Sequence, residues 1–419
     1  MAKIIPFKAF RPTRDKAHLA AARSYISYSK NSLHQKLSKN PFSFLHVINP
    51  EYKNKEISLF NSIPGLHSIK NKFYNFCDDS IYVQDDKPCL YIYRQIKNGQ
   101  EYTGLIGCIS IDDYKEGIIK KHEATISKRE EKLKTYLKVV NINAEPVCMT
   151  YPRSEDVAYV VRKVTSDRAE YDFSTVDGVR HMFWIIALEM DIEQIQRYFT
   201  KIPKVYIADG HHRSASSFLL GREKRKELKN FTGKEGFNYF MGIFFSEDNI
   251  SIMQFSRLVK DLNGMSSEEF IERLKVDFTV SKKGKKIHKP LELHDISMYL
   301  DGKWYSLHPK DDSFDPLHPS GHLDTAILTK NILEPILGIK DSRNNNRMSY
   351  LGGVKDLKHI KREVDKGKMR VAFALFPVTI EQLKNIADTG DVMPPKSTWI
   401  EPKLMTGLTI YNLEDNNDE

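Results

Sequence analysis

Lys204-Val205-Tyr206-Ile207-Ala208-Asp209-Gly210-His211-His212-Arg213 reads as two backbone regimes joined at one glycine. Val205, Ile207 and their neighbours have the make-up of a short buried strand. Asp209-Gly210 is a turn dipeptide. Beyond it Ala215, Phe218 and Leu219 recur at helical spacing, and Arg222, Lys224 and Arg225 suit the negative end of that helix. The expectation is strand, glycine turn, helix, with two histidines and an arginine in the first helical turn. Such a corner suits an anion. The first N–H groups of a helix lack intrahelical acceptors, and the macrodipole favours negative charge there. Gly210 lets a phosphate approach the backbone. Arg213 can fork onto its oxygens, and His211 or His212 can donate or shuttle a proton. Adjacent helical residues diverge by about 100°, which argues against His211 and His212 as paired zinc ligands.

The flanking sequence predicts a mixed α/β fold, with strands and helices in alternation. Strands are expected at 89–95 and 102–111, joined by a hairpin through Lys97-Asn98-Gly99-Gln100, and at 145–150 and 158–162. A strand pair is expected at 237–245 and 250–255, and a buried strand carrying His46 at 40–50. Helices are expected near 29–37, over 55–80 and over 192–199. Ser127 and Glu130 have capping-box spacing before a Leu133/Leu137 stripe. His122 and Glu123 precede that helix, and Arg129 lies in its first turn. A carboxylate so placed can take a proton from a hydroxyl. Four regions are expected: 1–112, an N-terminal α/β region; 113–264, the phosphate-binding core; 265–370, an accessory subdomain or lid; and 371–419, a strand, helix and loop returning to the core. The loop Met393-Pro394-Pro395-Lys396-Ser397-Thr398-Trp399 offers Lys396, Ser397 and Thr398 as substrate contacts, with Arg94 as a further one.

Composition narrows the function. The chain has 419 residues, 40% hydrophobic and 28% charged, which fits a globular protein of more than one core. The net charge of +9 is concentrated in short runs such as 282–286 and 222–229. No helix-turn-helix is evident, so nucleic acid is not the expected partner. The four cysteines show no CxxC spacing, which argues against a structural zinc site. No apolar run reaches the roughly 18 residues that span a bilayer, and a cytoplasmic location is the default.

Four segments carry a family resemblance: 43–51, 114–123, 206–213 and 393–403. Together they resemble a group of long bacterial and archaeal proteins of unknown function related to the free serine kinases. The resemblance implies a ParB/sulfiredoxin-like core around the Asp-Gly-His-His-Arg turn, with additional N- and C-terminal α/β segments. It also implies nucleotide phosphates at that turn and, in the His122-Glu123 pair, a catalytic base for a serine hydroxyl. Two departures stand out. The gap from Glu123 to Asp209 is longer than in the compact kinases, and 23–27 lacks the Pro-Pro-Tyr-Asp of many long members.

The function expected is a phosphotransferase acting on free serine or phosphoserine, run as kinase or phosphatase. Glu123, His122, Asp209 and His211 are the candidate catalytic groups. Gly210, His211, His212, Arg213 and Arg129 would hold phosphate or nucleotide. Asp209 would help to hold Mg2+, and ADP or ATP would be the nucleotide. The alternative is a nucleotide-binding regulatory or partition-type protein without turnover.

Overall fold

Eight strands place the glycine corner. Their order across the sheet is Ile119–Lys120, Val205–Asp209, Val147–Tyr151, Tyr239–Ser246, Gln100–Ser110, Leu90–Lys97, Arg180–Ile186 and Tyr171–Ser174. Val205–Asp209 runs parallel to Ile119–Lys120 and antiparallel to Val147–Tyr151. Tyr239–Ser246 is parallel to Val147–Tyr151 and antiparallel to Gln100–Ser110. The computed structural model describes residues 1–24, 27–49, 62–228, 230–341, 345–353 and 357–414. They form two compact units. The first comprises Met1–Lys120, Thr125–Ile250 and Pro402–Glu419, the second Lys121–Ala124 and Ser251–Glu401. The class is mixed α/β, and no helix among the described residues is long and apolar enough to cross a membrane.

Leu90–Lys97 and Gln100–Ser110 form the expected hairpin. Asn98 and Gly99 supply positive φ values of 51° and 77°, as a two-residue turn between right-twisted strands requires. Ile92, Leu105, Val147, Ile207, Phe240 and Trp184 join one buried cluster of this unit. The helix His211–Glu227 closes against the sheet through small residues: Ser214, Ala215, Ser217 and Gly221 are buried. A Cβ at Gly221 would stand 2.3 Å from Ile111 Cδ1 and 2.7 Å from the Phe237 carbonyl. Only glycine allows that approach.

Four expectations from the sequence differ from the fold. The run at 40–50 contains a short helix, Leu45–Ile48, not a strand. Phe44, Leu45, Val47 and Ile48 are all buried, and an apolar run without alternation serves either element. Pro50 lies outside the described residues, as do 55–61 of the expected 55–80 helix; Ile63–Asp78 is helical. Residues 158–162 lie in the helix Glu155–Thr165, capped by Ser154, with Val157 and Val160 facing inward at i, i+3. The β-branched valines had suggested a strand. The helix Ser127–Val140 has no side-chain cap, because Ser127 is already its first residue. Finally, Tyr239–Ser246 does not pair with the next strand in the chain: Ser251–Met253 pairs with Trp399–Glu401 in the second unit.

The second unit is built on an antiparallel six-stranded sheet. Its order is Phe278–Gly284, Lys303–Pro309, Ile296–Leu300, Val371–Ala374, Phe255–Val259 and Met348–Gly352. Its helices Ser267–Leu274 and Ile380–Thr389 carry complete capping boxes, Ser266/Glu269 and Thr379/Gln382.

This unit buries Asp324, whose Oδ1 accepts the His294 N–H at 3.0 Å. Desolvation raises its pKa to about 7. The folded chain therefore keeps a proton that the unfolded chain sheds near the ordinary aspartate value of 3.8. This contribution is whole below that value and is lost as pH rises to about 7. Asp324→Asn should be the more stable chain at pH 8, by about 1–3 kcal/mol, and equal to wild type near pH 4. Urea midpoints at both pH values check this; a constant difference between the two chains would refute it.

Candidate functional site

The corner at Gly210 is set by a bulge and a left-handed residue in succession. The register between Val205–Asp209 and Val147–Tyr151 shifts between Ile207 and Asp209, so Asp209 faces Cys148. A bulge at that point bends the strand and re-aims its last side chain. Gly210 comes next, with φ 108° and ψ 24°, as the N-cap of His211–Glu227. Its carbonyl accepts the amides of Arg213 at 2.9 Å and Ser214 at 3.1 Å. The amides of His211 and His212 precede the first intrahelical bond, as helix geometry dictates.

Arg213 folds back under this turn. A Cβ built on Gly210 would sit 3.1 Å from both Nε and Nη2 of Arg213. Glycine is required for its backbone angle, and any Cβ there would also make the guanidinium beneath it give way slightly. Arg213 Nη1 donates to Glu145 Oε2 at 3.2 Å, both side chains being partly exposed. On the other side Lys403 Nζ lies 3.6 Å from Asp209 Oδ2. The Cys148 thiol lies among these charges. Burial pushes its pKa up to about 12, Asp209 adds to the rise, and Lys403 and Arg213 oppose it. Asp209, Arg213, Glu145 and Lys403 therefore surround one corner as two opposed ion pairs, open to solvent in part.

His211 is buried and His212 is half-buried, both in the first helical turn. Arg129 is exposed at the start of Ser127–Val140. That helix is tied to His211–Glu227 by Ser216 Oγ donating to the Glu130 carbonyl at 3.0 Å and by Lys134 and Lys138 on Glu223.

His122 and Glu123 belong to the segment Lys121–Ala124, grouped with the second unit. His122 is buried and its carbonyl accepts the Met393 amide at 2.9 Å; Glu123 is exposed. In the same unit Lys396 has φ 60° and stands 5.6 Å over the Phe255 ring. The buried Ser397 hydroxyl bonds Thr325 Oγ1 at 3.0 Å and the Pro394 carbonyl at 2.7 Å, while Thr398 is half-buried. Arg94 is in the first unit, where its guanidinium bonds Thr103 and Thr165 and stacks 5.1 Å from Trp184. Glu145 and Lys403 were not singled out from the sequence as contributors to the turn. Lys403 ends a proline-rich run that drew notice for other residues, and nothing local marks Glu145.

Among the described residues no group of three or more His, Cys, Asp or Glu could hold a metal ion. The corner carries two carboxylates, each already facing a cation: Glu145 on Arg213 and Asp209 by Lys403. Of the two, Asp209 is the one that would take a share of Mg2+ held chiefly by a nucleotide's phosphates.

The chain belongs to a family described as a protein of unknown function (DUF1015), whose model matches residues 4–326. No curated protein matches the sequence. Similar solved structures include a conserved hypothetical protein from Pyrococcus furiosus, at 13% identity and a TM-score of 0.37, covering 77% of this chain and 99% of that one. A free serine kinase in complex with AMP has 14% identity and a TM-score of 0.37, over 74% of this chain and 93% of that one. SbnI with C-terminal truncation from Staphylococcus aureus has 12% identity and a TM-score of 0.38, over 72% and 85% respectively.

Gly210→Ala tests the corner directly. It should lower stability by about 1–2 kcal/mol through the positive φ and displace Arg213 from beneath the turn. A denaturation midpoint equal to wild type would show that the turn does not need glycine.

Proposed function

We propose that the first unit binds the phosphate of a small molecule at residues 209–213 and that the protein is a Mg2+-dependent phosphotransferase with a nucleotide, ADP or ATP, as its phosphate partner. The core would then be ParB/sulfiredoxin-like. The observation that carries this reading is the guanidinium of Arg213 lodged under a left-handed glycine at the start of a 17-residue helix. Amides, dipole and guanidinium all favour an anion on that side of the turn.

The acceptor class we favour is a hydroxyl such as that of serine; with water as acceptor the same site would act on phosphoserine. In the transfer, the hydroxyl oxygen forms a bond to phosphorus as the bond to the leaving oxygen breaks, and the hydroxyl proton passes to a carboxylate. Glu123 is the proposed base. Glu145 is the carboxylate paired with the turn's arginine and would tune Arg213 rather than take the proton. Arg213 neutralises charge on the equatorial oxygens, Gly210 admits them to the backbone, and His211 and His212 supply their amides. Asp209 would help to hold Mg2+, which when bound would supply further neutralisation of the phosphate charge. Positioning and charge neutralisation of this kind are what phosphoryl transfer chiefly requires.

A second reading, nucleotide binding without turnover, draws on the ion pairs themselves. Asp209 and Arg213 each face an opposite charge, which is compatible with a site that only recognises.

The deciding experiment incubates the chain with phosphoserine, with and without ADP, plus Mg2+, and monitors serine, inorganic phosphate and ATP. Arg213→Ala should slow transfer by about 10²–10³-fold if it acts as a preorganised charge donor. Glu123→Gln should abolish proton transfer while leaving nucleotide binding intact. Normal rates in both folded variants would rule the mechanism out, and calorimetric binding without turnover would favour the second reading.

A further inference from the structure

A buried polar chain in the first unit ends on the backbone of Lys403. It starts at Thr175, whose hydroxyl donates to the Val179 carbonyl at 3.2 Å. Its oxygen is thereby left to accept from His181 Nε2, 3.3 Å away. His181 is buried, and desolvation pushes its pKa down to about 4, so at neutral pH it carries one proton, on Nε2. His181 Nδ1 must then accept, and it does so from the Tyr93 hydroxyl at 2.7 Å. With its proton committed, the Tyr93 oxygen can only accept, and its hydrogen-bond partner is the Gln95 carboxamide. Gln95 is buried, and its Nε2 also donates to the Lys403 carbonyl at 3.0 Å. A flip of the amide would set its oxygen against the Lys403 carbonyl.

The chain of donors reaches the corner through one residue. Lys403 is held at its carbonyl by Gln95, while its ammonium lies 3.6 Å from Asp209 Oδ2. The adjoining strand Met405–Thr406 is pinned separately, to Ala22–Arg23. We propose that Gln95 is a positioning residue for the 209–213 turn: its carboxamide, oriented by Tyr93 and His181, fixes the Lys403 backbone and thereby sets the Lys403 ammonium beside Asp209. Gln95 touches no ligand in this scheme. It acts through Lys403, and its effect on ligand affinity rests on the phosphate-binding reading above.

A hydrophobic side chain of similar length, as in Gln95→Leu, keeps the volume and removes the donor. In the ligand-free full chain, the carboxyl carbon resonance of Asp209 should move in Gln95→Leu in the same direction as in Lys403→Met. With ADP and Mg2+ in a calorimeter, each variant should bind about 3–10-fold more weakly, and the double variant no more weakly than Lys403→Met alone. A residue that merely supported the fold would give losses that multiply. Should Gln95→Leu fail to fold, Tyr93→Phe takes its place, since it retains Gln95 but removes the phenol oxygen that orients it. An Asp209 resonance that moves in Lys403→Met but stays fixed in Gln95→Leu, or multiplying losses, would overturn the proposal. If the resonance moves as expected while neither Lys403→Met nor Arg213→Ala alters ADP affinity, the positioning role stands and the phosphate-binding reading falls.

Discussion

The first unit turns on a steric fact at residue 210. A chain that leaves a sheet and enters a helix without a connecting loop must reverse its backbone within a residue or two. Here the strand first shifts register against Val147–Tyr151, then Gly210 takes φ 108°, and the helix begins at His211. An L side chain at that angle is strained, and its Cβ would press on the Arg213 guanidinium at 3.1 Å. The backbone reversal and the placement of the cation are therefore one constraint. Helix packing obeys a similar economy of volume, since Gly221 lets the same helix lie against Ile111 and the Phe237 carbonyl.

Charge at the corner is balanced rather than bare. Arg213 faces Glu145 and Asp209 faces Lys403, each pair partly solvated. Exposed pairs of this kind contribute little to stability, about 0–1 kcal/mol each. Their value is geometric: each long side chain is held near one position by its partner. Desolvation and the Asp209 charge push the pKa of the buried Cys148 thiol up, which disfavours the nucleophilic thiolate.

Much of the corner was legible in the sequence because its signals are local. Asp209-Gly210 announces a turn, the valine and isoleucine before it a strand, and the periodic residues after it a helix; all three were found in place. The hairpin through Asn98-Gly99 was readable for the same reason. Where local signals are ambiguous, the reading failed. Val160 and Val161 look like a strand until the i, i+3 burial of Val157 and Val160 is seen, and Leu45–Ile48 is apolar in either conformation. The partners of the turn were out of reach for a different reason. Glu145 is 68 residues from Arg213 in sequence, and Gln95 is 308 residues from Lys403. No spacing rule links such positions; only the order of strands in the sheet does.

That same distance explains why the polar chain through Gln95 is buried rather than placed at the surface. The segment from Pro402 onward returns to the first unit after the whole of the second has been traversed, and it must be registered against a sheet to which it is not locally tethered. Apolar contacts alone tolerate a slip by a fraction of a residue. A buried carboxamide that donates to the Lys403 carbonyl does not, because a slip leaves a buried N–H and a carbonyl without their partner, at a cost of about 1–3 kcal/mol. Tyr93 and His181 orient that carboxamide from inside the sheet, and a neutral imidazole is needed for it, since a second ring proton would remove the acceptor for the phenol. Burial of His181 secures that neutrality across the physiological range. The position of Lys403 beside Asp209 is in this sense dictated from the core outward.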